Sequence, residues 1–384
     1  MKKIEDFDLT YVTIDSLSEG VGSSQITPLI SRLSLAGMKI CLISYEKRKP
    51  TIELFKFFEL LGVNWNARPF GSNGFAGGVT RFQDLKKAIP KTNLIHARSD
   101  IPAVSALASQ QAMVLWDVRS LWADQKRMIQ KNLLNDALYG VYRGMESIAA
   151  NRSLGMSTLS NAVVPILEQR HKKLPLLRTV VPTAVDLDRF KLAPTITTGV
   201  HALFSGTYNQ YYDLALSALF IAELQKHIKV ETHWARPFES ERKNLGVGEV
   251  KVFPVTQIEM AKLIPNYNFG VSICKMDAGP SLTAAMPTKI GEFLACGRPI
   301  VVNKGLGDMD QLVKEFNVGI VLDGEKENLV KGALELIDLL SDPELPNRCR
   351  FLAENHFSMD VGAKSYLNLY SKMTRNTEKG FIAQ

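Results

Sequence analysis

The chain is poor in the residues that mark several common architectures. Its four cysteines, Cys41, Cys274, Cys296 and Cys349, stand far apart and form no Cys-x-x-Cys pair. That excludes a disulfide framework and a cysteine metal site, and it predicts reduced, buried thiols. No apolar run approaches the ~20 residues that cross a bilayer. Residues 1–8 are charged without an apolar core, so they do not read as a signal peptide. Low-complexity tracts and short repeats are absent and charge is moderate at 22%, against a disordered chain. The dinucleotide glycine fingerprint and the Walker loop are both missing, which argues against a nicotinamide or flavin oxidoreductase. No nucleic-acid module is recognisable. The expectation is a globular protein kept in the cytosol.

What is present is a large apolar fraction, 46% of 384 residues, enough for two domains of roughly 150 residues each. Charge is uneven: up to Phe190 there are 25 Lys and Arg against 17 Asp and Glu, and after it 21 against 22. A basic first half implies an anionic partner there (nucleic acid, lipid headgroup or sugar phosphate), or a solvated surface bias.

Short β-rich runs alternate with helical stretches. Strands are predicted at 9–14, 39–44, 93–97, 114–118, 156–160 and 179–182, with a helix from about Ser24 that Gly37 stops. The polar stretch 191–199, with Pro194 and Gly199, reads as a linker. Alternation then resumes at 201–205, 230–234, 250–253, 269–274, 299–302 and 319–322, and the chain from about Glu327 is mostly helical. The pattern predicts an α/β protein of two Rossmann-like, doubly wound parallel-sheet domains facing a cleft, with ligands at the carboxyl ends of the strands.

Three segments can carry chemistry. In the loop Asp15–Gln25, Gly20 and Gly22 allow close backbone approach and Ser23 or Ser24 can cap the following helix, a candidate anion site or a plain capped loop. Arg98, after His96, joins Asp117, Arg119, Trp122 and Asp124 behind predicted strands. That mixture of charge and flat apolar surface suits sugar rings, and equally a structural Asp–Arg pair with core tryptophans; a lone His96 reads as structural. Third, a helix opened by Pro287 and stopped by Gly297 carries Lys289 and Glu292 three apart, on one face. A carboxylate there can accept both hydroxyls of a ribose while Lys289, Lys275 and the helix start face phosphate; an i,i+3 surface salt bridge fits the same residues.

In order along the chain, Ser24–Pro28 with Leu42–Glu46, Trp116–Asp124, Phe204–Tyr208 and Met286–Val301 resemble the retaining nucleotide-sugar glycosyltransferases of family four, the group 1 transferases. The likeness runs from Tyr11 to about Tyr370 and is to a bacterial branch involved in surface polysaccharides. It implies the two-Rossmann GT-B architecture. Residues 1–190 would bind the acceptor, 191–199 link, and 200–359 hold the donor, with a final helix from about 360 to 384 crossing back. It implies sugar transfer from a nucleotide-sugar to a glycan or lipid-linked glycan with retention at the anomeric carbon, without a metal or other cofactor.

In the family's Glu-x7-Glu pattern the second glutamate binds ribose and matches Glu292, whereas the first position is Ala284. The donor site is therefore expected from Gly22, Ser23, Ser24, Gly206, Thr207, Arg236, Lys275, Ser281, Thr283, Thr288, Lys289 and Glu292. The catalytic and acceptor-positioning residues would be Arg98, Asp117, Arg119 and Asp124. With a lipid-linked acceptor, Lys47–Lys49, Lys86–Lys87, Lys126–Arg127 and Lys172–Lys173 would rest on anionic headgroups at the inner membrane face. The alternatives are a nucleotide-sugar 2-epimerase on the same fold and a non-catalytic partner subunit, to which Ala284 lends weight.

Overall fold

Runs such as Ile40–Glu46 and Leu94–Arg98 form strands buried over their whole length, as a parallel sheet covered on both sides requires. The computed structural model describes residues 7–109, 112–129, 133–196, 198–206, 211–236, 251–255 and 257–378. The chain divides into two compact units, Met1–Val181 with Gly362–Gln384, and Pro182–Val361.

Unit 1 carries β1 (Leu9–Val12), β2 (Ile40–Glu46), β3 (Asn64–Pro69), β4 (Leu94–Arg98), β5 (Met113–Val118), β6 (Gly155–Thr158) and β7 (Leu177–Val180). They pair in parallel in the order β3-β2-β1-β4-β5-β6-β7, so strand order reverses between β1 and β4. The edge strand β3, Asn-Trp-Asn-Ala-Arg-Pro, is only partly buried; it has no β-branched residue and one large apolar side chain, Trp65, which is why sequence pattern misses it.

Unit 2 carries β8 (Val200–Ser205), β9 (Val230–Arg236), β10 (Lys251–Pro254), β11 (Phe269–Ser272), β12 (Ile300–Asn303) and β13 (Gly319–Leu322). Their order, β10-β9-β8-β11-β12-β13, reverses between β8 and β11. Phe204, Phe220, Trp234, Phe269 and Leu336 are among the residues that fill its core.

The expected boundary at Phe190 with a linker over 191–199 is corrected: the division falls between Val181 and Pro182. The reason is visible in the bonds that tie the next residues to unit 2. Thr183 Oγ1 donates to Met286 O (2.7 Å), and Val185 N donates to Phe357 O (2.6 Å). Ala193 N donates to Cys296 O (3.3 Å), and Arg298 Nη2 donates to Pro194 O (2.7 Å). The final helix, Met359–Glu378, buries Tyr366, Leu369, Tyr370 and Met373, and from Gly362 it belongs to unit 1. The four cysteines are buried and none forms a disulfide. Among the described residues no helix is long and apolar enough to cross a membrane.

Close packing makes one glycine a test of unit 2. A Cβ on Gly270 of β11 would lie 2.4 Å from the Phe293 ring, and that ring is itself buried. Gly270→Ala is expected to cost about 1–3 kcal/mol by overpacking, read as a lowered denaturation midpoint with unchanged secondary structure by circular dichroism.

Candidate functional site

In open α/β sheets the crevice for ligands lies at the carboxyl ends of the strands where their order reverses. In unit 1 that point is the end of β1 and β4. His96 and Arg98 share one face of β4, since strand side chains alternate, and Asp117 follows on neighbouring β5. The Asp117 carboxylate is fully buried. Its Oδ1 accepts from Ser157 Oγ (2.8 Å), Tyr366 Oη (3.2 Å) and Arg119 Nη1 (3.4 Å). Its Oδ2 meets His96 Nε2 at 3.2 Å and Arg98 Nη1 at 3.6 Å. Arg98 Nε donates to Asp15 Oδ2 (2.9 Å), and His96 Nδ1 meets Tyr370 Oη at 2.6 Å.

Burial pushes the Asp117 carboxyl up, but Arg119, His96 and Arg98 outweigh it and hold it well below the usual carboxylate range. Burial lowers the His96 pKa against the pull of Asp117. The neutral imidazole that satisfies both contacts donates from Nε2 to Asp117 and accepts at Nδ1 from Tyr370. Arg98, Asp117 and Arg119 thus come together as expected from sequence, yet Asp117 is enclosed and acts by holding the two guanidinium groups. Asp15, 40% exposed, is the member most open to solvent.

Asp124 is not part of this group. Its helix, Trp122–Ile129, turns it toward Arg170, whose Nη1 and Nη2 donate to it at 2.8 and 2.9 Å. Arg170 in turn lies near Glu146, which also meets His171 Nε2 at 2.8 Å. Trp116 is core, donating its Nε1 to Asp100 Oδ1 (3.0 Å), while Trp122 packs edge-on against Tyr142. Burial, reinforced by the charge of Glu146, pushes the Asp100 carboxyl up to about 7.

The loop after β1 is held by Glu46, which sequence reasoning passed over. Its buried carboxylate accepts from Ser16 Oγ, Leu17 N, Ser18 N, Ser18 Oγ and Ser44 Oγ at 2.7–3.3 Å. Gly22 abuts the same loop: a Cβ there would fall 1.9 Å from Ser16 O. The expected serine cap is corrected. Ser23 and Ser24 donate their hydroxyls back to Gly20 O (3.0 and 3.1 Å), and a π-helical turn, Gly22–Ile26, leads into the helix Thr27–Leu35.

In unit 2 the reversal point is the end of β8 and β11. Gly206 follows β8 at φ +83, with its N donating to Ala235 O (2.8 Å). Thr207 and the Arg236 side chain lie outside the described residues. Tyr212 bridges Cys274 in antiparallel fashion, and Lys275 N donates to Tyr211 O (2.9 Å), which fixes the half-exposed Lys275 beside β11. Tyr211 Oη donates to the carbonyl of buried Ser281 (2.9 Å).

Lys289 and Glu292 sit one turn apart on the helix Thr288–Ala295. Lys289 is 6% exposed with Nζ 4.0 Å from the centre of the Tyr212 ring, and burial lowers its pKa to about 8. Glu292 is half-buried; burial raises its carboxyl to about 7 against the charges of Lys289 and Arg189, and among the described residues it has no hydrogen-bond partner. Thr283, half-buried, ends the short helix Pro280–Thr283, and Thr288 opens the next. Ala284 is 2% exposed, enclosed under that short helix. Sequence reasoning missed Tyr211 and Tyr212, whose signal is an adjacent aromatic pair between a strand and a helix. Among the described residues no three His, Cys, Asp or Glu side chains are grouped to hold a metal.

No family model matches the chain, and no curated protein matches it in sequence. Solved structures do match over almost its whole length. Sucrose-phosphate synthase from Thermosynechococcus elongatus superposes with a TM-score of 0.69 at 13% identity, covering 96% of this chain and 99% of that one. A glycosyltransferase from Rickettsia africae gives 0.68 at 14%, over 97% and 99%. HepE of Anabaena, in complex with UDP-glucose, gives 0.65 at 12%, over 97% and 100%. At such identities these likenesses establish the fold, the two-Rossmann GT-B architecture expected from sequence.

Two substitutions test the electrostatics of unit 1. Asp117→Asn leaves the largely buried Arg119 without its carboxylate and Arg98 with Asp15 alone, and is expected to destabilise by about 3–5 kcal/mol, measured by denaturant unfolding. Asp100 has the opposite sign. Its raised pKa means its neutral form stabilises the fold fully below the ordinary value of 3.8, and that contribution is lost as pH rises through about 7. Asp100→Asn should therefore raise the melting temperature at about pH 8 and leave it nearly unchanged at about pH 4. Equal shifts at both pH values contradict this.

Proposed function

We propose that the protein transfers a sugar from a nucleotide-sugar, held by unit 2, to a glycan or lipid-linked glycan acceptor positioned by unit 1, with retention at the anomeric carbon. The observation that carries this is the pair Lys289 and Glu292 at the strand-order reversal of the second sheet. One is a buried ammonium facing an aromatic ring, the other a half-buried carboxylate without a hydrogen-bond partner among the described residues. A ribose diol supplies the two donors Glu292 lacks, and a diphosphate supplies the negative charge that Lys289 and Lys275 can face. The binding of UDP-glucose by a protein of the same fold supports the reading.

In the proposed reaction the bond from the anomeric carbon to the diphosphate oxygen breaks, the acceptor hydroxyl oxygen bonds to that carbon, and the hydroxyl proton passes to the departing diphosphate. The developing charge on the departing diphosphate is stabilised by cations already in position, which needs no metal. Asp15, Arg98 and Arg119 would orient the acceptor, with Asp117 fixing both arginines. Since Ala284 contributes no carboxylate, sugar hydroxyls would be read by Thr283 and backbone amides.

Five nucleoside diphosphates (uridine, guanosine, thymidine, adenosine and cytidine) are the first test, by thermal shift. Ligand at about a hundred times its Kd adds about 2.7 kcal/mol to stability, so one of the five should raise the melting temperature clearly; no shift with any of them overturns the reading. Affinity should be greatest between about pH 7 and about pH 8, because binding strengthens as Glu292 ionises and weakens as Lys289 loses its proton. Glu292→Gln should weaken binding and remove the acid limb. The basic runs at Lys47–Lys49 and Lys86–Lys87 should hold the protein on anionic liposomes at low salt, each charge contributing about 1 kcal/mol; failure to co-sediment contradicts a membrane-borne acceptor.

A further inference from the structure

The segment after Val181 runs as a strap along the helix Thr288–Ala295, fastened at successive points. Thr183 Oγ1 donates to Met286 O at 2.7 Å, before the helix. Val185 packs on Gly291, where a Cβ would meet Val185 Cβ at 3.5 Å and Phe357 Cβ at 3.3 Å. Arg350 Nη1 donates both to Phe190 O (2.8 Å) and to Ala295 O (3.0 Å), locking strap to helix. Ala193 N donates to Cys296 O (3.3 Å), and Leu192 covers Gly297. Strap and helix therefore run in the same direction, and Arg189, between the fastenings at Val185 and Phe190, comes alongside Glu292. Arg189 is half-exposed and, among the described residues, forms no side-chain hydrogen bond or ion pair at contact distance.

We propose that Arg189 is a positioning residue of the nucleotide site, a cation held beside Glu292 by the strap so that this half-buried carboxylate is ionised and oriented for the ribose hydroxyls. The inference rests on the nucleotide reading above. The charge of Arg189 opposes the effect of burial on Glu292, as does that of Lys289. Among the described residues the other titratable groups coupled to Glu292 are Tyr212 and Cys296, whose own pKa values lie far above neutral and leave both uncharged. Among these groups the two cations favour the charged carboxylate. Lys289 is on its own helix, and Arg189 reaches it from outside.

The test is isothermal titration of wild type, Arg189→Met and Arg189→Lys with whichever of the five nucleoside diphosphates binds tightest, from about pH 6 to about pH 9. With the guanidinium gone, the acid limb of binding should move up by about one pH unit, which is about tenfold in affinity on that limb, and Arg189→Lys should restore most of it. Circular dichroism should show both variants folded, because the side chain anchors nothing. A limb unmoved in Arg189→Met, with wild-type binding intact, overturns the role of Arg189 and leaves the nucleotide site standing. Uniformly weaker binding with no movement of the limb also overturns it, since that would be a contact to the ligand or a packing effect. Wild-type protein that binds none of the five overturns the nucleotide reading and this role together.

Discussion

One buried carboxylate ties the first unit together. Asp117 accepts from Ser157 on β6, Arg119 beyond β5 and Tyr366 on the final helix, and meets His96 and Arg98 on β4. Taking such a charge out of water is expensive unless every lone pair is answered, and here the answers come from four separate parts of the chain. The network therefore does two things at once: it seats the carboxyl ends of the central strands, and it recruits a helix from the other end of the sequence. Arg98 and Arg119 are aimed because Asp117 is not free to move.

The two units solve a similar problem with opposite balance. Around Asp117 in unit 1 the buried charges are matched. In unit 2 Lys289 and Glu292 are drawn toward neutrality by burial, Lys289 to about 8 and Glu292 to about 7. Groups whose pKa values burial moves this far cluster at functional sites.

Much of this was legible in the residues themselves. Parallel strands are buried on both faces, so runs such as Ile40–Ser44 and Val114–Val118 announce themselves, and Pro287 and Gly297 bracket the helix that carries Lys289 and Glu292. What pattern could not supply was distance across the fold. Nothing near Asp117 in sequence points to Tyr366 or Tyr370, and Asp124 looked like its companion only because it is seven residues away. The strap was divided between the first domain, up to Phe190, and a linker over 191–199, because its fastenings are mostly backbone carbonyls and glycine contacts, which leave no periodicity. Its one sequence trace is Gly291, a glycine in mid-helix where a side chain would strike Val185 and Phe357.

The return of the final helix to unit 1 also sets an order of events during synthesis. Residues 182–361 emerge as one contiguous stretch, whereas unit 1 waits for Tyr366, Tyr370 and Met373, which are made after them. Until then Asp117 and His96 lack their tyrosine partners, and Gly155 lacks the methionine that packs on it. Domains generally fold as units while the chain is being made, so residues 182–361 can reach their finished form before unit 1, whose early-made strands depend on a helix made after them.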